Sequence, residues 1–315
     1  MLTIFATPKP FRGHVNIIQR NALKSWTLLH PGVEVILFGD DEGAAEVARE
    51  AAIRHVPHVE RNDAGMKRVD YIFGTAQTLA RHELLCYVNC DIILMGDFVR
   101  ALEHVRAKYT RFLMVGRRWD TPITEAIEFS DRWDDKIRKL AVSVDDRQNQ
   151  WYIDYFAFAR GTFVDDFPPL VLGTVRWDNW LIWKALNSKV PVIDASEAVV
   201  AVHQNHDYSY HPQGKEGVWE GEAAKRNLEL AGGWKSLRSI YHATRQLTSN
   251  GQIRGTWFRR QQQGLREMRK NPRDVPSIIW YSFLTMTYES RRAIGLNRER
   301  ITRLKAKFAA RENRG

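Results

Sequence analysis

A short polar tripeptide, Asn89-Cys90-Asp91, interrupts an apolar run in the segment Leu84–Leu94, which reads LLCYVNCDIIL. The run Leu84–Val88 is typical of a buried strand in a parallel sheet, and Asn89 and Asp91 come directly after it. In an open α/β sheet, ligands bind beyond the carboxyl ends of the strands, where these two side chains would project. A carboxylate at that place can hold a divalent cation that bridges the phosphates of a nucleotide. The alternative is that Asp91 caps a turn while Asn89 bonds loop backbone groups.

A second polar cluster ends the apolar run Val199–Val202 and begins with His203. Imidazole and carboxylate oxygen together suit manganese or a similar metal. His203 directly follows the apparent strand, which favours a role as a metal ligand. We interpret His206 and His211 as surface histidines, because spacing along a loop does not show where a side chain faces.

Two tryptophans flank a carboxylate and an amide in the segment Arg176–Trp180. The rings of Trp177 and Trp180 could stack on the apolar faces of pyranoses, while Asp178 and Asn179 bond the hydroxyls. The chain has 11 Trp, more than usual for its length, and this excess favours a carbohydrate site. The alternative is that Asp178 caps a helix and packs between tryptophans of the core.

These clusters need elements to position them, and the apolar pattern predicts alternating strands and helices. We expect strands at Leu2–Ala6, Val33–Phe38, Ala52–Val56, Leu84–Val88, Phe112–Gly116, Ile153–Phe158 and Val190–Ile193, and helices at His14–Leu29, Arg68–Arg81 and Trp177–Asn187. Such alternation predicts βαβ units, with the polar segment 121–150 as a partly helical insertion. Neither a G-x-G-x-x-G nor a P-loop pattern follows the first strand, which argues against those two kinds of nucleotide site.

Composition limits the class of protein further. Of the 315 residues, 44% are hydrophobic and 27% are charged, so a packed core is expected and a wholly disordered chain is excluded. No apolar run approaches the ~18 residues of a membrane-spanning helix, and we expect no signal peptide. Cys86 and Cys90 would lie ~13 Å apart on one strand, too far for a disulfide. We therefore expect a cytoplasmic protein.

The net charge of +10 is concentrated near the C-terminus. Residues 254–315 hold 16 Lys/Arg and 5 Asp/Glu, whereas residues 1–253 hold 31 and 32. We predict a near-neutral globular domain over residues 1–250 and a basic, aromatic-containing helical extension over residues 251–315. A groove binder spreads its basic face across the fold, so no nucleic-acid partner is expected. The extension could lie peripherally on the anionic inner face of a membrane, or pack on the domain or on a second subunit of a homo-oligomer.

Four segments in this order, IFATPKPF, LLCYVNCDIIL, WDNWLI and VHQNHDY, resemble bacterial glycosyltransferases of the GT-A fold, the nucleotide-diphospho-sugar transferases. The resemblance covers roughly residues 1–245. It implies an α/β fold, with a Rossmann-type mixed, mostly parallel sheet flanked by helices. It also implies sugar transfer from a nucleotide-diphosphate sugar, with a UDP-sugar favoured, to a glycan or lipid-linked acceptor, as in polysaccharide biosynthesis. The implied cofactor is a divalent metal, Mn²⁺ or Mg²⁺, at a D-x-D-like Asn89-Cys90-Asp91 motif, in which Asn89 departs from the usual two carboxylates.

The resemblance also implies roles for individual residues. Asp91 and His203 would hold the metal, and the nucleotide-sugar would contact Thr7, Lys9, Asp40, Arg68, Asp70, Asn89 and Asp91. An inverting reaction needs a general base, for which Asp178 is our candidate, with Asp154 as the alternative base or a ligand of an acceptor hydroxyl. The acceptor-binding candidates are Trp177, Asn179 and Trp180. A retaining reaction would not need that base, so both stereochemical outcomes stay open.

Two other functions are compatible with such a sheet. A nucleotidyltransferase would normally begin with a glycine-rich basic loop, but the loop here contains one glycine, Gly13, which disfavours that function. A non-catalytic carbohydrate-binding or scaffold protein stays open because of the neutral Asn89.

Overall fold

The computed structural model describes residues 1–207 and 213–256. Over these residues the strands are β1 (Leu2–Ala6), β2 (Glu34–Phe38), β3 (Arg54–Val56), β4 (Leu84–Val88), β5 (Ile92–Ile93), β6 (Leu113–Val115), β7 (Arg118–Thr121), β8 (Tyr155–Ala159), β9 (Val192–Asp194), β10 (Ala201–Gln204), β11 (Arg245–Leu247) and β12 (Ile253–Gly255). The α-helices are α1 (Gly13–Thr27), α2 (Ala44–Glu50), α3 (Val69–Leu79), α4 (Gly96–Arg106), α5 (Trp133–Val144), α6 (Trp177–Asn187), α7 (Gly214–Glu220) and α8 (Glu222–Leu230). Two 3₁₀ helices, Trp234–Ser236 and Ile240–His242, precede β11.

The large sheet has the strand order β12-β11-β9-β6-β8-β4-β1-β2-β3 over the described residues. Strand β1 lies at its centre, with β2 and β4 parallel to it on either side. Strand β8 runs antiparallel to both β4 and β6. Because β8 is reversed, the residues just before it lie at the same edge of the sheet as the residues just after β4.

The two faces of this sheet bury different side chains, since neighbouring residues of a strand point to opposite faces. Ile4 and Cys86 pack on the face that α1, α2 and α4 cover. Phe5 and Tyr87 pack on the other face, which α3 and α6 cover. Coverage on both faces explains why β1 and β4 are buried over their whole length and read as continuous apolar runs.

A small second sheet has the order β5-β10-β7. Strand β10 is antiparallel to β5 and parallel to β7. Helix α5 packs its buried Ile137 and Ala141 in a small apolar cluster with Ile93 and Val202. The polar segment 121–150, predicted as a partly helical insertion, therefore contains one helix that rests on the small sheet.

The predicted fold class is confirmed, because the large sheet is mixed, mostly parallel and flanked by helices. The predicted strands and helices are present with ends that differ by up to two residues, and helix Trp177–Asn187 has the predicted bounds. Cys86 and Cys90 are free and buried, as expected.

The chain divides into two compact units, Met1–Arg254 and Gly255–Gly315. The predicted helical extension lies almost entirely outside the described residues. None of the described helices combines the length and the apolar composition that crossing a bilayer requires.

Candidate functional site

A cleft of about 1070 Å³ opens where the central strands end. The segments that follow three strands line it: Thr7 and Lys9 after β1, Asp41 after β2, and Asn89 and Asp91 after β4. This is the carboxyl-terminal edge of the sheet, where open α/β proteins bind ligands. The cleft therefore lies at the edge of the sheet where the sequence predicts a ligand site.

Asp91, His203 and His206 come together on one wall of this cleft, with one ligand atom of each within 4.8 Å of the others. The pairing of β10 with β5 produces this arrangement, because His203 lies opposite Ile92, the residue after Asp91. His206 follows the end of β10 and bends back to the same point. One carboxylate and two imidazoles form a ligand set suited to manganese and similar ions.

The polar atoms around this cluster fit a bound divalent cation. His206 Nδ1 donates to the backbone carbonyl of Asp207 at 2.6 Å, which leaves Nε2 directed at Asp91 Oδ2, 3.1 Å away. His203 Nδ1 lies 3.1 Å from Asp120 Oδ1, which places a second carboxylate beside this imidazole. Asp91 Oδ1 is buried and has no hydrogen-bond partner within the part of the chain that the structure describes. A cation at this point would satisfy that oxygen.

The surrounding charges keep Asp91 ionised. Burial acts to raise the pKa of Asp91, but the hydrogen bond with His206 and the nearby His203 and Lys9 hold that pKa well below its usual range. Lys9 Nζ lies 3.3 Å from His206 Nε2 and 3.9 Å from Asp91 Oδ2. Burial lowers the pKa of Lys9, although the charge of Asp91 opposes this effect. The site thus brings the carboxylate of the candidate metal cluster close to the amino group of Lys9.

A buried ionic network connects this cluster with the predicted residue Asp154. Arg118 Nη1 lies 3.2 Å from both carboxylate oxygens of Asp154, and Arg118 Nε donates to Asp120 Oδ1 at 2.8 Å. Asn89 Nδ2 donates to Asp154 Oδ1 at 2.7 Å. Burial acts to lower the pKa of Arg118, but Asp154 and Asp120 raise it above its usual value. Asp154 lines the cleft with its carboxylate held by two donors, an arrangement better suited to binding than to proton transfer.

Asp178 also lines the cleft and lies in the first turn of α6. Arg176, just before the helix, adopts a left-handed conformation with φ 86°, and its backbone N–H donates to Asp178 Oδ1 at 3.1 Å. Burial raises the pKa of Asp178 to about 7, with backbone hydrogen bonds opposing the rise and the charge of Asp154 adding to it. A carboxylate with such a pKa can accept a proton near neutral pH, as a general base must.

The aromatic residues divide between the cleft and the core. Trp177 lines the cleft, although it is only 6% exposed and packs edge-on against Tyr87. Two of the predicted acceptor-binding residues need correction. Trp180 is 2% exposed and packs in the core, and Asn179 Nδ2 donates to the backbone carbonyl of Arg238. Neither lines the cleft, because α6 turns Trp177 and Asp178 towards the cleft and Trp180 towards the core.

Three predicted nucleotide-binding residues also lie outside the cleft lining. Asp40 has a side chain that is 67% exposed and pairs with Arg61, whereas its neighbour Asp41 turns inward. Arg68 pairs with Asp70, and both line a separate shallow depression beside α3. The structure therefore places Thr7, Lys9, Asn89 and Asp91 at the cleft and Asp40, Arg68 and Asp70 away from it.

Sequence reasoning missed several residues of the cleft. His206 is not a surface histidine, since its side chain is only 10% exposed and contacts Asp91. The signal that could have revealed it is its place three residues after His203, beyond a strand end. Other missed lining residues are Asp41, Lys67, Arg118, Asp120, Trp151, Tyr152 and Trp219. His211 lies outside the described residues.

No family model and no curated protein matches this chain. Several solved structures resemble it, each at low sequence identity. Staphylococcus aureus TarS, solved with UDP-GlcNAc, has a TM-score of 0.45 and 8% identity over 65% of this chain. Glucosyl-3-phosphoglycerate synthase from Mycobacterium tuberculosis, solved with Mn²⁺, UDP and glucosyl-3-phosphoglycerate, has a TM-score of 0.44 and 11% identity, covering 74% of this chain and 80% of that one.

A mannosyltransferase from Pyrobaculum calidifontis, solved with GDP-Man and Mn²⁺, has a TM-score of 0.41 and 14% identity over 64% of this chain. The present chain spans 58% of the TarS chain and 56% of the mannosyltransferase chain.

Proposed function

We propose that this chain is a metal-assisted glycosyltransferase that takes its sugar from a nucleoside diphosphate-sugar. The observation that carries the proposal is the cluster of Asp91, His203 and His206, which shares one cleft with Asp178. Glycosyl transfer needs a stabilised diphosphate leaving group at one end of the reacting bond and an activated hydroxyl at the other. The metal cluster and Lys9 suit the first requirement, and the raised pKa of Asp178 suits the second.

The donor end of the cleft lies between β1, β2 and β4. Asp91, His203 and His206 would hold Mn²⁺ or Mg²⁺, which supplies Lewis-acid stabilisation of the diphosphate when bound. Lys9 would contact a phosphate oxygen. Lys67 pairs with Asp41 and donates to the backbone carbonyl of Pro8 at 3.1 Å, so it braces the loop that would border the base. A UDP donor is proposed from the sequence resemblance.

The acceptor end of the cleft contains Asp178 and the aromatic side chains of Trp151, Tyr152 and Trp219. Asp178 would accept the proton of the attacking hydroxyl, which makes an inverting reaction the proposed stereochemical course. Asp154 is less suited to this role, since Arg118 and Asn89 already occupy its oxygens. These aromatic rings, of which Trp151 is exposed and the other two are half-buried, favour a glycan acceptor. A lipid-linked acceptor, contact of residues 254–315 with a membrane and a role in polysaccharide biosynthesis stay predictions.

Release of nucleotide from a panel of donors tests the proposal. The full chain would be incubated with UDP-glucose, UDP-GlcNAc, GDP-mannose or a dTDP-sugar, with Mn²⁺ or with EDTA, and the free nucleoside diphosphate measured. We expect metal-dependent release from one nucleotide class, strongly reduced in Asp178→Asn. Asp63→Asn, at an exposed loop position, is the matched control and should behave like the natural chain. If the chain binds a donor but neither releases its nucleoside diphosphate nor transfers its sugar to a glycan, it is instead a carbohydrate-binding protein.

A further inference from the structure

The amide of Asn89 makes a contact that a carboxylate could not make. Asn89 Nδ2 donates to Asp154 Oδ1 at 2.7 Å, and the backbone N–H of Asn89 donates to the carbonyl of Asp154 at 2.9 Å. These contacts continue the antiparallel pairing of β4 with β8, in which Val88 lies opposite Tyr155. An aspartate at position 89 would bring two carboxylates into contact, and like charges at that distance repel each other. A hydrogen-bond donor at position 89 therefore suits an aspartate at position 154 better than a second carboxylate would.

Asp154 is held rigidly from the other side by Arg118, whose guanidinium also lies 4.9 Å from the centre of the Tyr152 ring. Asp154 is only 5% exposed, yet it lines the cleft. Its Oδ1 accepts from Asn89 and Arg118, whereas its Oδ2 accepts from Arg118 alone among the described contacts. A carboxylate oxygen can accept more than one hydrogen bond, so Oδ2 has capacity for a ligand donor.

The location of Asp154 indicates which part of a ligand it would contact. Asp154 lines the same cleft as Lys9 and Asp178, and its charge acts on both of them. In the proposed function Lys9 contacts the diphosphate and Asp178 contacts the acceptor, so the transferred sugar would lie between these two residues. A carboxylate in that space binds the hydroxyl groups of a sugar and repels a sugar carboxylate. Arg118 would not offset this repulsion, because it is already paired with Asp154 and Asp120.

We propose that Asn89 is a positioning residue for Asp154 and that Asp154 Oδ2 accepts a hydroxyl of the donor sugar, which selects neutral sugars over uronic acids. This inference rests on the proposed function. It explains why the Asn89-Cys90-Asp91 motif has a neutral amide at its first position. Within this motif only Asp91 belongs to the metal cluster, and the second carboxylate of the site is Asp154, just before β8.

The contact between the two side chains can be tested without any ligand. Urea unfolding at pH 7.5 with EDTA would compare three variants with the natural chain: Asn89→Asp, Asp154→Asn and the double variant. The double variant exchanges the amide and the carboxylate between the two positions. Asn89→Asp should be less stable than the natural chain, and adding Asp154→Asn to it should restore part of the loss. A double variant no more stable than Asn89→Asp alone would overturn the positioning role.

The contact with the sugar is tested by calorimetric titration with UDP, UDP-glucose and UDP-glucuronate, each with Mn²⁺. In both single variants UDP-glucose affinity should fall at least tenfold while UDP affinity stays within about twofold, and the double variant should regain part of the UDP-glucose affinity. The natural chain should bind UDP-glucuronate more weakly than UDP-glucose. Equal losses for UDP and UDP-glucose, or UDP-glucuronate bound as tightly as UDP-glucose, would refute the sugar contact. If the natural chain binds none of these ligands, the proposed UDP donor is wrong and so is the sugar contact. The unfolding experiment still tests the contact between Asn89 and Asp154 independently.

Discussion

Replacing Asp178 by asparagine should make the protein more stable and far less active. Because burial raises the pKa of Asp178 from 3.8 to about 7, the folded chain holds this proton more tightly than the unfolded chain does. The free energy of unfolding therefore falls as pH rises from about 4 to about 7, and the loss reaches at most about 4 kcal/mol above that pH. Asparagine carries no charge, and its side-chain oxygen can still accept the hydrogen bond from the Arg176 backbone.

The assay is urea unfolding of the natural chain and of Asp178→Asn at pH 4.5 and pH 8, with EDTA present. Relative to the natural chain, the variant should gain only about 1 kcal/mol of stability at pH 4.5 but up to about 4 kcal/mol at pH 8. Its kcat should be lower by roughly 10²–10⁴-fold, the usual contribution of a general base. The kcat of the natural chain should fall about tenfold per pH unit below pH 7.

Asp63→Asn serves as the control, since it makes the same chemical change at an exposed loop position. A stability difference between Asp178→Asn and the natural chain that is the same at both pH values would refute the buried-carboxylate reasoning. Near-normal turnover by the variant would refute the assignment of Asp178 as the base.

Three further predictions concern other parts of the site and the core. Asp91→Ala should reduce Mn²⁺ affinity at least tenfold, as measured by electron paramagnetic resonance of free Mn²⁺; unchanged affinity would exclude the carboxylate as a ligand. Lys9→Met should strengthen Mn²⁺ binding in the absence of nucleotide, because a positive charge 3.9 Å from Asp91 Oδ2 is removed. The same variant should bind UDP more weakly in calorimetric titration. Weaker Mn²⁺ binding by the variant would contradict this account. Trp180→Ala should lower the unfolding free energy by roughly 3–5 kcal/mol, since a fully packed aromatic side chain is lost; a change confined to acceptor KM would instead restore the predicted acceptor role.

Much of the fold could be predicted because buried parallel strands have a distinctive composition. Leu84–Val88 is an unbroken apolar run because helices cover both faces of the sheet, and the same pattern located Asn89 and Asp91 at its end. His203 could be identified for the same reason, since it lies at the end of another apolar run. The ends of helices and strands were less predictable, because they depend on tertiary packing and not on the local pattern.

The remaining site residues depend on tertiary geometry that residue spacing does not contain. His206 reaches the cleft because the chain bends back after β10, and the spacing of a loop does not reveal such a bend. Arg118 and Asp120 lie on β7, a four-residue strand whose sequence RWDT has no apolar run to mark it. Asp40 and Asp41 are neighbours, and only the turn after β2 determines which of them points inward. The sequence WDNW does not show which of its two tryptophans lines the cleft, Trp177, and which packs only in the core, Trp180.

The measurement that most directly tests the central claim is a thermal-shift titration of the full chain with UDP-, GDP- and dTDP-sugars, with Mn²⁺ and with EDTA. A ligand present at 100 times its dissociation constant stabilises a protein by about 2.7 kcal/mol, which is readily seen as a higher melting temperature. The proposed function predicts a shift with one nucleotide class that requires Mn²⁺ and disappears in Asp91→Ala. No shift with any donor, or a shift that persists with EDTA and in Asp91→Ala, would contradict a metal-assisted nucleotide-sugar site.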